Sequence, residues 1–152
     1  MKTTRRQTLQ HAATVAGLLA ATGVVPRTAF AWTNAAFDAK TVQDAIKAYG
    51  AGAPTESKDV QLTAPDIAEN GAVVPMAAAS SLAGVKHLLV LVEKNPNALV
   101  AKFDVTDAIE ANVATRAKMG QTSDVYAVAI MNDGKALYAK KEVKVTLGGC
   151  GG

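Results

Sequence analysis

The sequence predicts a mainly β protein: an immunoglobulin-like antiparallel β-sandwich with one N-terminal helix and a flexible C-terminal tail. Three observations predict it. Seven short segments carry strand patterns, turn-forming residues separate them at short intervals, and a single helical pattern precedes them all. A β-barrel built from the same strands is the alternative architecture.

The helix is expected over residues 37–49, where Val42, Ala45, Ile46 and Tyr49 recur at three- and four-residue spacing. Gly50 suits its C-terminal cap, and a loop runs from there to Pro54. Strands are expected at 60–63, 72–76, 86–93, 98–105, 112–119, 124–131 and 137–147. Asn70-Gly71, Asn95-Pro96-Asn97 and Asn132-Asp133-Gly134 punctuate them. Asp133-Gly134 between two alternating segments predicts a hairpin. In the last strand Val143, Val145 and Leu147 face one way, Lys144 and Thr146 the other. Pro75 has no N–H to donate, which places its segment at an edge or a bulge. Residues 85–93 are almost continuously apolar and read as a buried strand, with His87 near its entry in a structural role. A single cysteine allows no disulfide within the domain, so packing must hold the sheets together.

Ahead of this domain, Lys2, Arg5 and Arg6 precede an apolar stretch over 12–25, and Ala29-Phe30-Ala31 ends it in a small-x-small pattern. That is the form of a secretory signal peptide, so 1–31 are expected to be cleaved and the mature protein to be periplasmic. The stretch is too short and too rich in Ala, Gly and Thr for a membrane-spanning helix. Arg5-Arg6, with Leu9 three positions on, resembles the twin-arginine export signal, although Thr8 stands where the usual pattern has Phe. The expected organisation is a leader over 1–31, a carrier domain over 32–147 and an arm over 148–152.

The leader holds Lys2, Arg5, Arg6 and Arg27 and no acid, which takes four of the 16 basic residues and leaves 12 against 13 acids. The +3 of the whole sequence therefore belongs to the leader, and nothing points to nucleic acid, or to a membrane once the leader is gone. After residue 31 there remain one His (His87), one Cys (Cys150) and one Trp (Trp32). No zinc-ligand spacing, haem-attachment motif, Cys-x-x-Cys pair or phosphate loop is present. This inventory implies no metal, no cofactor and no catalytic centre of its own. A Cys150–His87 pair would require His87 to meet the tail.

The tail Gly148-Gly149-Cys150-Gly151-Gly152 is the informative feature. Four glycines around one residue give maximal backbone freedom and minimal bulk, and five extended residues reach roughly 17 Å. An exposed thiol in an oxidising compartment is a liability, so an odd cysteine there points to a reactive thiol or to intermolecular pairing. Cys150 has two residues after it, one short of a prenylation signal. The terminal carboxylate nearby disfavours thiolate, and the cations nearest in sequence, Lys144 and Lys141, lie on the preceding strand. The thiol is expected to be unactivated when the protein is alone.

The terminus 145–152 resembles the signature end of the SoxY family, the thiosulfate (sulfur) carrier subunit of bacterial Sox sulfur-oxidation systems. Three internal blocks are similar to that family too: 64–71 (APDIAENG), 92–96 (VEKNP) and 115–119 (TRAKM), otherwise readable as turn chemistry and a solvated strand face. The resemblance spans essentially the whole chain and implies an immunoglobulin-like fold with Cys150 as the covalent attachment point. It implies that Gly148, Gly149, Gly151 and Gly152 give the arm its freedom. It further implies pairing with a SoxZ-like subunit and exchange with a SoxAX-like haem cytochrome, a SoxB-like manganese hydrolase and a sulfur dehydrogenase where one exists. On this reading the protein is a substrate carrier, not an enzyme. Two other readings compete: a periplasmic redox-responsive binding protein that uses Cys150 for disulfide capture, and a structural module with an incidental tail.

Overall fold

The computed structural model describes residues 34–146. The expected leader, Trp32, Leu147 and the arm 148–152 lie outside the described residues. Within them the order is α1 (Asn34–Phe37), α2 (Val42–Lys47), then β1 (Thr55–Glu56), β2 (Val60–Thr63), β3 (Ile67–Ala68), β4 (Val74–Ser80), β5 (Val85–Val92), β6 (Leu99–Asp104), β7 (Asn112–Ala117), β8 (Ser123–Met131) and β9 (Ala136–Val145).

The strands form two sheets, as an immunoglobulin-like sandwich requires. The larger runs β1-β9-β8-β5-β6, with β3 added beside β9; the smaller is β2-β4-β7. The main ladders are antiparallel, but β1 and β3 both join β9 in parallel. These two-residue strands escape the alternation pattern because they are too short to show it.

Period-two side chains explain why the large sheet is buried on both faces. Leu88, Val90 and Val92 of β5, with Val125, Ala127 and Ala129 of β8, pack toward Val74, Met76 and Ala78 of the small sheet. The intervening Leu89, Leu91, Val128 and Ile130 pack instead against Val42, Ala45 and Ile46 of α2. The unbroken apolar run of β5 thus serves two cores, each fully buried aliphatic side chain contributing about 1.5–3 kcal/mol.

The single helix expected over 37–49 is two. Ala39 offers its carbonyl to the Ala98 amide (3.0 Å), which ties the segment between them to the start of β6. Thr41 then restarts the helix as its N-cap: its Oγ1 accepts from the Asp44 amide (3.1 Å) and donates to the Asp44 carboxylate (2.7 Å). Gly50 takes a positive φ of 73° just past α2, and Gly134 takes 83° in the β8–β9 hairpin turn, both as a glycine there would suit.

Pro75 is the second departure. Its strand β4 is the centre of the small sheet, not an edge. The proline is tolerated because β2 ends at Thr63, opposite Ala77, so only β7 runs alongside Pro75. The strand also continues through Ala77, Ala78 and Ala79 to Ser80, where small residues carry little strand propensity of their own.

Candidate functional site

The last described residues are Val145, which ends β9, and Thr146; residues 147–152 follow them in sequence. Three loops meet there. The first, residues 64–73, lies along β9 and holds it through β3: the Lys144 amide donates to the Asp66 carbonyl (3.0 Å) and the Thr146 amide to the Ala68 carbonyl (3.1 Å). The Thr146 hydroxyl points to the carbonyls of Ala68 (3.5 Å) and Glu69 (3.4 Å). Lys141 clamps the start of this strap, donating to the Ala64 carbonyl (2.7 Å) and pairing with the Asp66 carboxylate (2.8 Å). The Lys141 ammonium, through its hydrogen bond, holds the Asp66 carboxyl below the usual carboxylate range, with a smaller contribution from Lys144.

The second loop, 118–122, joins on both sides. The Met119 amide donates to the Gly71 carbonyl (2.7 Å), and the Val145 amide donates to Thr122 Oγ1 (3.0 Å). The third, 93–97, is bound to the second: Asn95 Nδ2 donates to the Lys118 carbonyl (2.8 Å). Ser123, buried at the start of β8, accepts from the Lys94 amide (3.0 Å) and donates to the Asp124 carbonyl (3.0 Å). From β9 to the strap, to Met119, to Asn95, to Ser123 and Thr122 and back to Val145, the hydrogen bonds close a ring. Met119 is fully buried beneath it. This collar takes in the 64–71 block, the 92–96 block from Glu93 on, and Lys118 and Met119 of the 115–119 block, whose first three residues lie on β7. Their turn chemistry was legible; their meeting place was not, since up to 78 positions separate the bonded residues.

Of the expected site residues, Cys150 and the four glycines follow Thr146 outside the described part. Covalent geometry still bounds where the thiol can go. Cys150 is four residues past Thr146, a span of at most about 14 Å.

His87 does not join this site. It pairs with Ile130, which pairs with Ala136, ten residues before Thr146 and so about 33 Å away along the strand. That lies far beyond the reach of the Cys150 thiol even with its side chain added, so a Cys150–His87 pair within one chain is excluded. His87 is structural, as expected: its Nδ1 meets Asp104 Oδ1 (2.6 Å) and its ring packs on Tyr49 at 5.4 Å between centroids. Burial holds its pKa below the usual histidine value, outweighing the Asp104 hydrogen bond. Asp104 also receives Lys102 (2.8 Å), which keeps the carboxyl ionised. A cleft of about 870 Å³ at this same far end is lined by residues such as Ser81, Leu82, Asp107, Glu110 and Asn132, with no cysteine or histidine among its lining. Among the described residues no cluster of His, Cys, Asp and Glu could hold a metal, and no helix is long and apolar enough to cross a membrane.

Comparison with known proteins decides the family. The family model described as sulfur oxidation protein SoxY matches residues 45–150, ending on Cys150 itself. The chain belongs to the SoxY family. Among solved structures, this SoxY-family chain is similar to the sulfur carrier protein SoxY from Chlorobium limicola f. thiosulfatophilum, at 37% identity and a TM-score of 0.64. That match covers 70% of this chain and 97% of the other. A superoxide reductase (neelaredoxin) from Ignicoccus hospitalis shares the fold at 15% identity and a TM-score of 0.51, over 57% of this chain and 79% of that one. A search of curated proteins finds no match.

Proposed function

We propose that this protein is the sulfur carrier of a Sox system, holding thiosulfate-derived sulfur covalently on Cys150 and presenting it to periplasmic enzymes. The single observation that carries the reading is the family match through Cys150, the only cysteine of the chain. The collar supports it. A carrier needs its arm freed at a definite point, and the ring of hydrogen bonds holds the domain rigidly up to Thr146.

In the proposed cycle, a haem enzyme of SoxAX type removes two electrons and one proton as the thiol and thiosulfate join: RSH + S₂O₃²⁻ → RS–S–SO₃⁻ + H⁺ + 2e⁻. A SoxB-type hydrolase then adds water to the terminal sulfonate, releasing sulfate and leaving RS–SH on the carrier. Gly148, Gly149, Gly151 and Gly152 keep the thiol's surroundings narrow, which suits entry into enclosed active sites. The protein supplies no acid, base or metal to these steps. A SoxZ-like subunit is the proposed companion, and residues 1–31 the proposed twin-arginine leader.

The test is the intact mass of the mature protein purified from thiosulfate-grown cells, before and after reductant. A reductant-labile sulfur or thiosulfate adduct on Cys150 is the expected result. A bare thiol, or only protein disulfides, would favour disulfide capture and refute the carrier reading.

A further inference from the structure

The strap of the collar contains the chain's only Asn-Gly step, Asn70-Gly71. Such a step carries a latent reaction. The following nitrogen adds to the asparagine side-chain carbonyl carbon, a C–N bond forms, and the side-chain nitrogen leaves as ammonia with the proton of the main-chain amide. Glycine has no Cβ to obstruct the ring that closes. Water then opens the ring to aspartate or isoaspartate. Of the other asparagines, Asn34 and Asn97 precede alanine, Asn95 proline, Asn112 valine and Asn132 aspartate, each with a Cβ in the way.

The closed collar holds both partners of this reaction away from it. Asn70 Oδ1 accepts from the Ala72 amide (2.8 Å), and the Asn70 carbonyl receives the Val73 amide (3.4 Å), so the side chain caps its own turn. Gly71 is buried, and its carbonyl accepts from the amide of the fully buried Met119 (2.7 Å). Ring closure requires the Asn70 side chain to leave Ala72 and the peptide at Gly71 to turn. The bond to Met119 opposes that turn for as long as the strap stays in place. Asp133-Gly134, in the β8–β9 hairpin, is a built-in contrast: its carboxylate is ionised beside Lys135 (2.8 Å) and has no ammonia to expel.

We infer that Asn70-Gly71 is a modification site gated by the collar, stable while the strap is closed and converted when it opens. Water is the only co-reactant. Isoaspartate routes the main chain through the former side chain and inserts an extra carbon between Ala68, which holds Thr146, and Gly71, which holds Met119. The lengthened strap no longer makes both bonds in their present register, so a transient opening becomes a permanent one. The inference stands whether or not the chain carries sulfur.

The test incubates the mature protein, beside a synthetic peptide of residues 59–86, in mildly alkaline buffer. Cleavage after Lys and Arg releases residues 59–86, in which Asn70 is the only asparagine, and residues 119–135, which hold Asp133-Gly134 as an internal reference. Mass spectrometry follows loss of the Asn70 amide, and chromatography separates the isoaspartyl form. The free peptide should convert much faster than the folded protein. Lys141→Met removes the clamp on Ala64 and Asp66 without touching Asn70, and should quicken conversion about 5- to 30-fold, in step with hydrogen exchange at the Lys144 and Thr146 amides. Urea below the unfolding transition should raise both rates together in the wild type. Asn70→Ser, whose hydroxyl still caps the Ala72 amide, should give no product at residue 70. Folded wild type that converts as fast as the peptide would overturn the gate. So would conversion that ignores changes in Lys144 and Thr146 exchange across the variant and the urea series. A peptide that keeps its amide would remove the reaction itself.

Discussion

Lys141→Met isolates what fastens the strap to β9. Methionine keeps the aliphatic stem and removes the ammonium, and with it the hydrogen bond to the Ala64 carbonyl (2.7 Å) and the pair with Asp66. The Asp66 side chain is 86% exposed, so its pair is left out of the sum. A hydrogen bond from a charged donor, half open to water, contributes about 1–2 kcal/mol. The apolar anchors Ala64 and Ala68 stay buried in the variant, so the loss is local. Opening of the strap exposes the amides of Lys144 and Thr146, whose acceptors are the Asp66 and Ala68 carbonyls. Hydrogen exchange at those two amides should therefore quicken about 5- to 30-fold. The amides of β5 and β8 should change far less. Unaltered exchange at Lys144 and Thr146 would refute the clamp; equal acceleration across β5 and β8 would show that Lys141 supports the whole fold instead.

Three further outcomes are expected. Leu91→Ala empties a fully buried site between the large sheet and α2 and should cost about 2–5 kcal/mol in denaturant unfolding, with no change in Cys150 alkylation. Burial depresses the His87 pKa in the folded state, so the unfolded chain takes up a proton first as pH falls below the ordinary value of 6.5. Stability should then decline from that value down to the depressed one and level off below it; His87→Gln should flatten this part of the pH–stability curve. Alkylation of Cys150 in the isolated protein should follow the pH dependence of an unactivated thiol, and a midpoint well below neutral would show that the domain activates its own thiol.

The amino-acid sequence alone determined the strands whose side chains alternate or run continuously apolar. The segments at 60–63, 86–93, 98–105 and 124–131 reappear within a residue or two as β2, β5, β6 and β8. It also held the terminal Gly-Gly-Cys-Gly-Gly segment with the chain's single cysteine, on which the resemblance to the SoxY family rested. Local signals were enough for this because alternation, turn residues and residue inventory are all read within a short window. Tertiary structure alone decided the rest. The break between α1 and α2 depends on the Ala39 carbonyl meeting the Ala98 amide, and the place of Pro75 in a central strand depends on where β2 stops. The collar depends on β3, two residues that pair in parallel with a strand end more than seventy positions later. Such a pairing leaves no periodic trace in the chain, because its hydrogen bonds use backbone groups every residue possesses and its register is set by the packing of Ala64 and Ala68 into the core.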